Sequence, residues 1–467
     1  MRRIAVLSAA TVLTAIILVP SARAQGFSVY EHDPCMMARG GAGVAAPCAG
    51  GSAIFFNPAG IFTDHGKPWN LEANLTLIAP RGNFVDSASR VKTEMVKNTF
   101  PVPAGYLTRQ LGANAAVGIG VFAPYGLTSE WPTAFQGRYL GYKTQIASFY
   151  IQPTFAYRVA NGFQIGAGAD FVTSSAKVQR RLDASALPLP GAPAGATTAL
   201  LGVPLGTDFA DAVFDVTGTG WGGHIGVMWQ ASTALSFGIR YMTQVKVKFT
   251  GNATFTKVPT GITLGAGNPI CNPPGIAPLC PAGTPLETAL FGIAGSTLQN
   301  QGASANITMP AQLVVGVAYS ITPQLKVMAD WQYTDWSVFK TLDLTLNTAN
   351  YTISEYEHYK ATNAFRAGLD WQATDGLTIR AGALTHKGAA PDETVTPILP
   401  EGQRIEGTVG AGIRLTPALR LDLAYQYLYQ GDRRGRMIEV ATPTPANNHG
   451  IFAFTANLFG ASLALAF

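Results

Sequence analysis

The chain alternates between apolar and polar positions over long stretches. From Arg404 to Leu415, the residues Ile405, Val409, Ala411, Ile413 and Leu415 fall on one face of an extended strand; Arg404, Glu406, Thr408, Gly410, Gly412 and Arg414 fall on the other. Leu419–Tyr429 sets Leu421, Leu423, Tyr425 and Tyr427 against Arg420, Asp422 and Gln426. Leu377–Thr385 sets Ile379 and Ala381 against Arg380 and Gly382, and Leu235–Tyr241 sets Phe237 and Ile239 against Ser236 and Arg240. A period of two marks β-strands with one apolar and one polar face. Carried along the chain, the pattern predicts fourteen strands: 69–80, 102–110, 114–124, 143–158, 163–181, 219–230, 234–257, 303–319, 325–345, 362–371, 377–387, 403–415, 419–430 and 451–467.

The connections have a rhythm of their own. Those after even strands are tight, such as Leu111-Gly112-Ala113, Ala160-Asn161-Gly162 and Thr374-Asp375-Gly376. Those after odd strands are long, the longest being 182–218 and 258–302, rich in Pro, Gly, Ala and Thr. An even strand count, with short turns on one rim and long loops on the other, is the pattern of a single-chain bacterial outer-membrane barrel. A soluble sandwich would alternate too, with the apolar face turned inward. Three features favour the membrane reading. Many strands reach 10 residues or more, where soluble strands average about 5–6. Trp69, Tyr106, Tyr319, Tyr333, Trp336, Trp371 and Tyr429 sit near predicted strand ends, as interfacial girdles do. The last strand closes on Leu463-Ala464-Leu465-Ala466-Phe467, a terminal aromatic strand of the kind that outer-membrane insertion machinery reads. The expectation is an all-β, 14-stranded antiparallel transmembrane β-barrel over residues 67–467, multi-pass in the bacterial outer membrane and in contact with its lipid.

Composition narrows this further. Only 13% of the 467 residues are charged, against roughly 25% in soluble domains. Past the N-terminus no run of apolar residues is long enough for a membrane helix. The net charge of +5 is spread out without a basic run, so no nucleic-acid partner is expected. Residues 1–24 read as a signal peptide: Arg2 and Arg3, an apolar core from Ile4 to Val19, and Ala22-Arg23-Ala24 as the cleavage site, with the mature chain starting at Gln25. Export places the four cysteines in an oxidising compartment. Their even count and local spacing predict two disulfides, Cys35–Cys48 and Cys271–Cys280. No histidine pair accompanies either couple, so no metal is expected. None of the six histidines sits in a hydrolase motif and no Gly-x-Ser-x-Gly elbow is present, so neither an enzyme nor a cofactor is expected.

Between the signal and the first strand lies GFSVYEHDPCMMARGGAGVAAPCAGGSAIFFNPAGIF, Gly26 to Phe62. Its glycines and small residues suit a compact, irregular segment packed inside something larger. Residues 25–66 are therefore expected to plug the barrel lumen. Asn57-Pro58 is a turn or helix start before strand one. Phe55, Phe56, Ile61 and Phe62 either line a ligand path or pack the plug against the wall; the sequence leaves both open. Arg240, Arg366, Arg380, Arg404, Arg414 and Arg420 are expected inward, facing Asp330, Asp370, Glu406 and Asp422 as a luminal ion-pair lattice.

The segment also carries a resemblance. Gly26-Phe27, the glycine run and Asn57-Pro58-Ala59 resemble the FadL-type family of outer-membrane hydrophobe transporters, which carry fatty acids and, in one branch, aromatic hydrocarbons. Tyr125-Gly126-Leu127 with Glu130-Trp131, Ala176–Arg180, Val245–Gly251 and Thr334–Ser337 with Phe339 extend the likeness over nearly the whole mature chain. The resemblance implies a monomer that takes a hydrophobic small molecule from outside, holds it at an apolar inner site and releases it sideways after the plug moves. It implies ligand contacts at Phe27 and a carboxylate partner at Arg180, a gate at Asn57, Pro58 and Ala59, and a lateral opening at a kink near Ala123, Pro124 and Tyr125. Proline at that kink also fits on its own terms, since it cannot donate to the ladder. The family's second basic position is unmatched: Tyr356 or Glu357 stands about there, with Lys360 a neighbour. The alternative is a general diffusion porin or a surface-displayed barrel. Burial of each CH₂ is worth about 0.8 kcal/mol, so a chain of about 16 carbons gains on the order of 10 kcal/mol at an apolar site, which a water-filled porin does not offer.

Overall fold

The computed structural model describes residues 26–63, 67–188, 195–272, 278, 280–435 and 449–467. The signal peptide, Gln25 and residues 64–66 at the foot of the expected plug lie outside them. One antiparallel sheet closes on itself as a 14-stranded barrel. Its strands are β1 Trp69–Asp86, β2 Phe100–Leu111, β3 Ala115–Glu130, β4 Lys143–Ala160, β5 Phe163–Asp183 and β6 Asp208–Gln230. Next come β7 (Leu235–Met242, Val245–Lys257), β8 (Gln301–Met309, Gln312–Thr322), β9 (Leu325–Thr334, Thr341–Leu346) and β10 (Tyr351–Tyr356, Thr362–Thr374), each interrupted once. Then follow β11 Leu377–His386, β12 Arg404–Arg414, β13 Leu419–Arg434 and β14 Gly450–Ala466. Each strand pairs with its sequence neighbours, and β14 returns to β1.

The faces are inverted relative to a soluble protein. Ile405 and Val409 on β12 are each 54% exposed, while Glu406 between them is 2% exposed. On β13, Leu423, Tyr427 and Tyr429 are exposed, whereas Asp422 and Gln426 are fully buried. Greasy side chains thus face lipid, and polar ones fill the bore. No helix among the described residues is long and apolar enough to cross a membrane. Trp69 stacks on Phe467 and Trp229 on Phe237 near the short-turn rim, where Trp371 is also exposed. Two residues assigned to the girdle by sequence turn inward instead: Tyr106 and Trp336 are buried. Tyr106 has the inward parity of β2 and meets His32, and Trp336 lies in the break of β9 against Phe27.

The tight turns follow even strands as expected. Two long connections are shorter than predicted. β6 starts at Asp208, not 219, and part of the connection expected at 346–361 is strand instead, Tyr351–Tyr356 pairing with Thr341–Leu346. Leu342, Leu344 and Leu346 on that hairpin are buried, so alternation persists beyond the membrane. Loop 258–300 carries a helix, Leu286–Ala294, and is stapled by Cys271–Cys280.

Residues 26–63 lie inside the bore. Two one-turn helices, α1 Pro34–Met37 and α2 Ala53–Phe56, are joined by irregular backbone. Asp33 caps α1, its Oδ1 accepting the Met36 N–H at 3.1 Å. Cys35 and Cys48 form a disulfide across the segment. Wall glycines admit it closely: a Cβ on Gly226 would collide with Asn57 Oδ1, and one on Gly382 with the backbone at Arg39 and Gly40.

Candidate functional site

The bore segment is tied to the wall on many sides. Asp330 Oδ2 on β9 accepts the N–H groups of Gly43 and Val44 at 2.7 and 3.0 Å. Asn57 Nδ2 donates to Val44 O at 2.6 Å and to Val227 O on β6 at 3.0 Å, and its Oδ1 accepts from Ala59 N, starting the turn at Pro58. Arg39 pairs with Asp370 on β10. Arg380 binds Asp422 at 2.7 Å and lies 3.5 Å from Asp370; Arg420 joins the same Asp422. Arg240 donates to Phe55 O at 2.9 Å and covers the Phe55 ring. Arg414 departs from the expected lattice, standing exposed at the short-turn rim.

Phe55 and Phe56 are buried in an aromatic cluster with His32 and Phe122. Burial and the Arg240 charge push the His32 imidazole down to about 3, so it is neutral and shares a 2.7 Å hydrogen bond with the Tyr106 hydroxyl. Phe55 and Phe56 line neither of the two apolar cavities described next.

The wall has a window. β2 pairs with β3 only from Gly105↔Val121 to Leu111↔Ala115. Further out, β2 pairs with β1 alone, and β3 with β4 alone. The register between β3 and β4 slips between Phe122 and Tyr125, so Ala123 and Pro124 form a bulge there. Contact resumes at the far end, where Val96 N donates to Glu130 O. The freed edge of β3 is taken by the leading residues of the bore segment: Val29 N donates to Pro124 O at 2.8 Å, and Gly126 N to Phe27 O at 3.0 Å. Ser28 opposes Tyr125 as a one-residue bridge. The Phe27 ring packs edge-on against Tyr125, Trp336 and Phe339.

A cavity of about 280 Å³ lies at this window. Inward residues Ile78, Leu428 and Leu458 line it, and so do Ala147 and Phe149. Ser148 and Tyr150 are fully buried, so their neighbours Ala147 and Phe149 stand on the lipid face of β4. The cavity is thus bordered by residues of both faces of the wall. A second cavity, about 560 Å³, lies among the outer loops, lined by Leu182, Phe255, Leu290, Leu346, Ile353 and Arg180. Arg180 is not left bare: its Nη1 lies 3.8 Å from Glu355 Oε1.

Thr154, His224 and Asp170 form a hydrogen-bonded chain, His224 Nε2 lying 2.9 Å from the Thr154 hydroxyl and Nδ1 2.5 Å from Asp170. The spacing is that of a hydrolytic relay. All three are buried, and neither cavity reaches them.

Residues 15–467 match the family described as outer membrane protein transport protein (OMPP1/FadL/TodX). The chain belongs to this family. Among its relatives, outer membrane protein P1 of Haemophilus influenzae is 23% identical, with 97% of this chain and 98% of that protein covered. The long-chain fatty acid transport protein of Escherichia coli K12 is 22% identical over 95% of this chain and 94% of its own length. Two solved structures share the fold. A Pseudomonas aeruginosa FadL homologue superposes with a TM-score of 0.77 at 20% identity, covering 95% of this chain and 100% of its own. The Pseudomonas putida toluene transporter TodX gives 0.67 at 16%, covering 94% and 99%. This OMPP1/FadL/TodX family member is thus an outer-membrane transport barrel.

Sequence reasoning overlooked Arg39, Glu355 and Glu401. Arg39 carried a signal, as the only Lys or Arg between Gly26 and Phe62. Glu355 and Glu401 carried none, because each acts on a residue more than 150 positions away.

Proposed function

We propose that this protein is a monomeric, passive and selective importer of hydrophobic compounds, long-chain fatty acids or related hydrocarbons. Ligand enters the loop cavity beside Arg180, passes to the apolar surroundings of Phe27 and leaves sideways past Ala123, Pro124 and Tyr125 when the plug moves. The observation that carries the reading is the apolar cavity at the β2–β3 window, stoppered by the peptide Phe27–Val29. A water-filled porin has no use for an apolar side exit. The long-chain fatty acid transport protein of Escherichia coli and the toluene transporter of Pseudomonas putida name the two ligand classes to test.

Glu355 stands 3.8 Å from the Arg180 guanidinium, so a carboxylate ligand there would meet a like charge, which favours the uncharged class. Asn57–Ala59 serve to seat the plug, and Phe55 and Phe56 to pack it. The test is displacement of a fluorescent hydrophobic probe from purified protein by palmitate and by toluene, with liposome swelling in sugars alongside. Displacement without swelling supports the reading; swelling without displacement returns the porin.

A further inference from the structure

Glu401 lies in the outer loop 387–403, yet its carboxylate is completely buried. Its Oε1 accepts the Gly26 N–H at 2.6 Å and the Ala389 N–H at 2.9 Å, and its Oε2 accepts the Ala390 N–H at 2.8 Å. A carboxylate taken out of water must be repaid by such donors. Two come from its own loop, and the third from the start of the peptide that stoppers the window. The same loop grips the other side of the window. Pro397 O accepts from the Ser129 hydroxyl at 2.8 Å and from Trp131 Nε1 at 3.1 Å, just past the free stretch of β3. The loop has a second support that does not involve Gly26: Arg433 on β13 donates to Glu401 O at 2.9 Å, to Ala390 O at 2.5 Å and to Asp392.

The leading peptide has few other ties. Two backbone hydrogen bonds hold it to β3, and Phe27 sits among Tyr125, Trp336 and Phe339. Behind it, the disulfide-closed remainder is fixed by Asp330, Asp370 and Asn57. The part free to leave the window is therefore residues 26–29, and its outermost fastening is the Glu401 carboxylate.

We propose that Glu401 is a positioning residue for transport: it latches the stopper peptide 26–29 to the outer loop 387–403, so that movement of the loop at the mouth is felt at the side exit. When Gly26 leaves, the carboxylate keeps its two loop donors, so release costs one charge-assisted hydrogen bond rather than a stranded buried charge. The proposal rests on the side-exit reading above.

The experiment uses the full-length protein purified in detergent, with Ser28→Cys as a reporter of the peptide. Labelling by a maleimide is expected to quicken on the order of tenfold in Glu401→Ala, the effect of losing one such bond. Glu401→Gln, which keeps one acceptor oxygen, should restore part of the protection. Arg433→Ala loosens the loop but keeps the Gly26 contact, and should quicken labelling less than Glu401→Ala does. Unchanged labelling in Glu401→Ala overturns the latch, as does an equal rise in Arg433→Ala. A separate arm tests the exit itself. Ser28→Cys with Tyr125→Cys staples the peptide to β3, since a directly opposed antiparallel pair outside the hydrogen-bonded positions brings the side chains close. The oxidised staple should block uptake and its reduction restore it, with wild type under the same reductant as reference. Uptake through the oxidised staple removes the side exit whatever Glu401 does; a working staple with no Glu401 effect removes the latch alone.

Discussion

Two seams of this barrel are built differently. Where the cylinder closes, β1 and β14 pair without a break from Asn70↔Ala466 to Asp86↔Gly450. Where β2 meets β3, the ladder stops at Gly105↔Val121, and an apolar cavity occupies the gap. The closing seam joins strands far apart in sequence, and the open one joins a hairpin. Loop-closure entropy would place the weakness at the former. The structure places it at the latter, by a bulge containing Pro124 on one strand and by Pro101 and Pro103 on the other. Unpaired edges inside a membrane are costly, so the gap persists only because the peptide 27–29 supplies substitute partners. The opening is a local device in a wall that is otherwise complete.

The sharpest way to break this comparison is to make the seams alike. Between Phe122 and Tyr125, β3 spends one residue more than β4. Deleting Pro124 removes the surplus while keeping Phe122 and Tyr125 on the inward face, and lets β3 continue alongside β2. Uptake should fall to the rate of cells lacking the protein, with probe binding in the loop cavity retained. If uptake continues, the window is not the exit. The closing seam should respond through stability instead. Phe459 on β14 is 54% exposed at mid-strand, and Phe459→Arg should cost about 2–4 kcal/mol in urea unfolding from lipid bilayers. A change in uptake per folded molecule would show that this seam also takes part in transport.

Much of the wall was legible because the bilayer allows few solutions. Period-two alternation, alternate turn lengths and Phe467 are local features, and they identify strands such as β11 and β12 nearly to the residue. The direction of the apolar face was decided by strand length and aromatics, and Ile405 against Glu406 bears it out. The site was harder to see. Pro124 announced the bulge, yet nothing near it said that Ser28 would fill the gap or that Glu401 would hold Gly26. Those contacts link positions brought together only by closure of the barrel. Tyr106 and Trp336 were misassigned for a related reason: an aromatic near a strand end can serve the girdle or the bore, and parity at a strand break cannot be read locally.

The outer cavity offers a milder test of the contrast between mouth and window. Glu355→Gln removes a like charge beside the site and should raise palmitate affinity about tenfold, and leave toluene unchanged. Competition binding on the purified protein reads both. An unchanged palmitate affinity would mean that Arg180 is not a carboxylate site even when released, leaving the uncharged ligand class.

The smallest expected effect concerns the window, through Glu31. This residue follows the stopper peptide and lines the window cavity. Burial, with the Glu406 carboxylate nearby, pushes its carboxyl up to about 7, against the pull of the Gln426 amide that donates to it at 2.9 Å. Around it stand Tyr30, whose hydroxyl donates to Gln426, and His386, 2.8 Å from Glu406, with Arg366 over the Tyr30 ring and Arg404 on the cavity wall. A carboxyl raised in the folded state holds a proton that the unfolded chain has already released. Stability is therefore greatest below the ordinary carboxylate range, falls as pH rises toward 7 and levels off above it. Between pH 5 and 8 the loss should be on the order of 1 kcal/mol, because part of it is shared with Glu406. Glu31→Gln should flatten that slope in urea unfolding at the two pH values, while Phe459→Arg, at the closed seam, should shift the whole curve and keep it. A slope that survives Glu31→Gln would move the titration to another group and leave the window indifferent to pH.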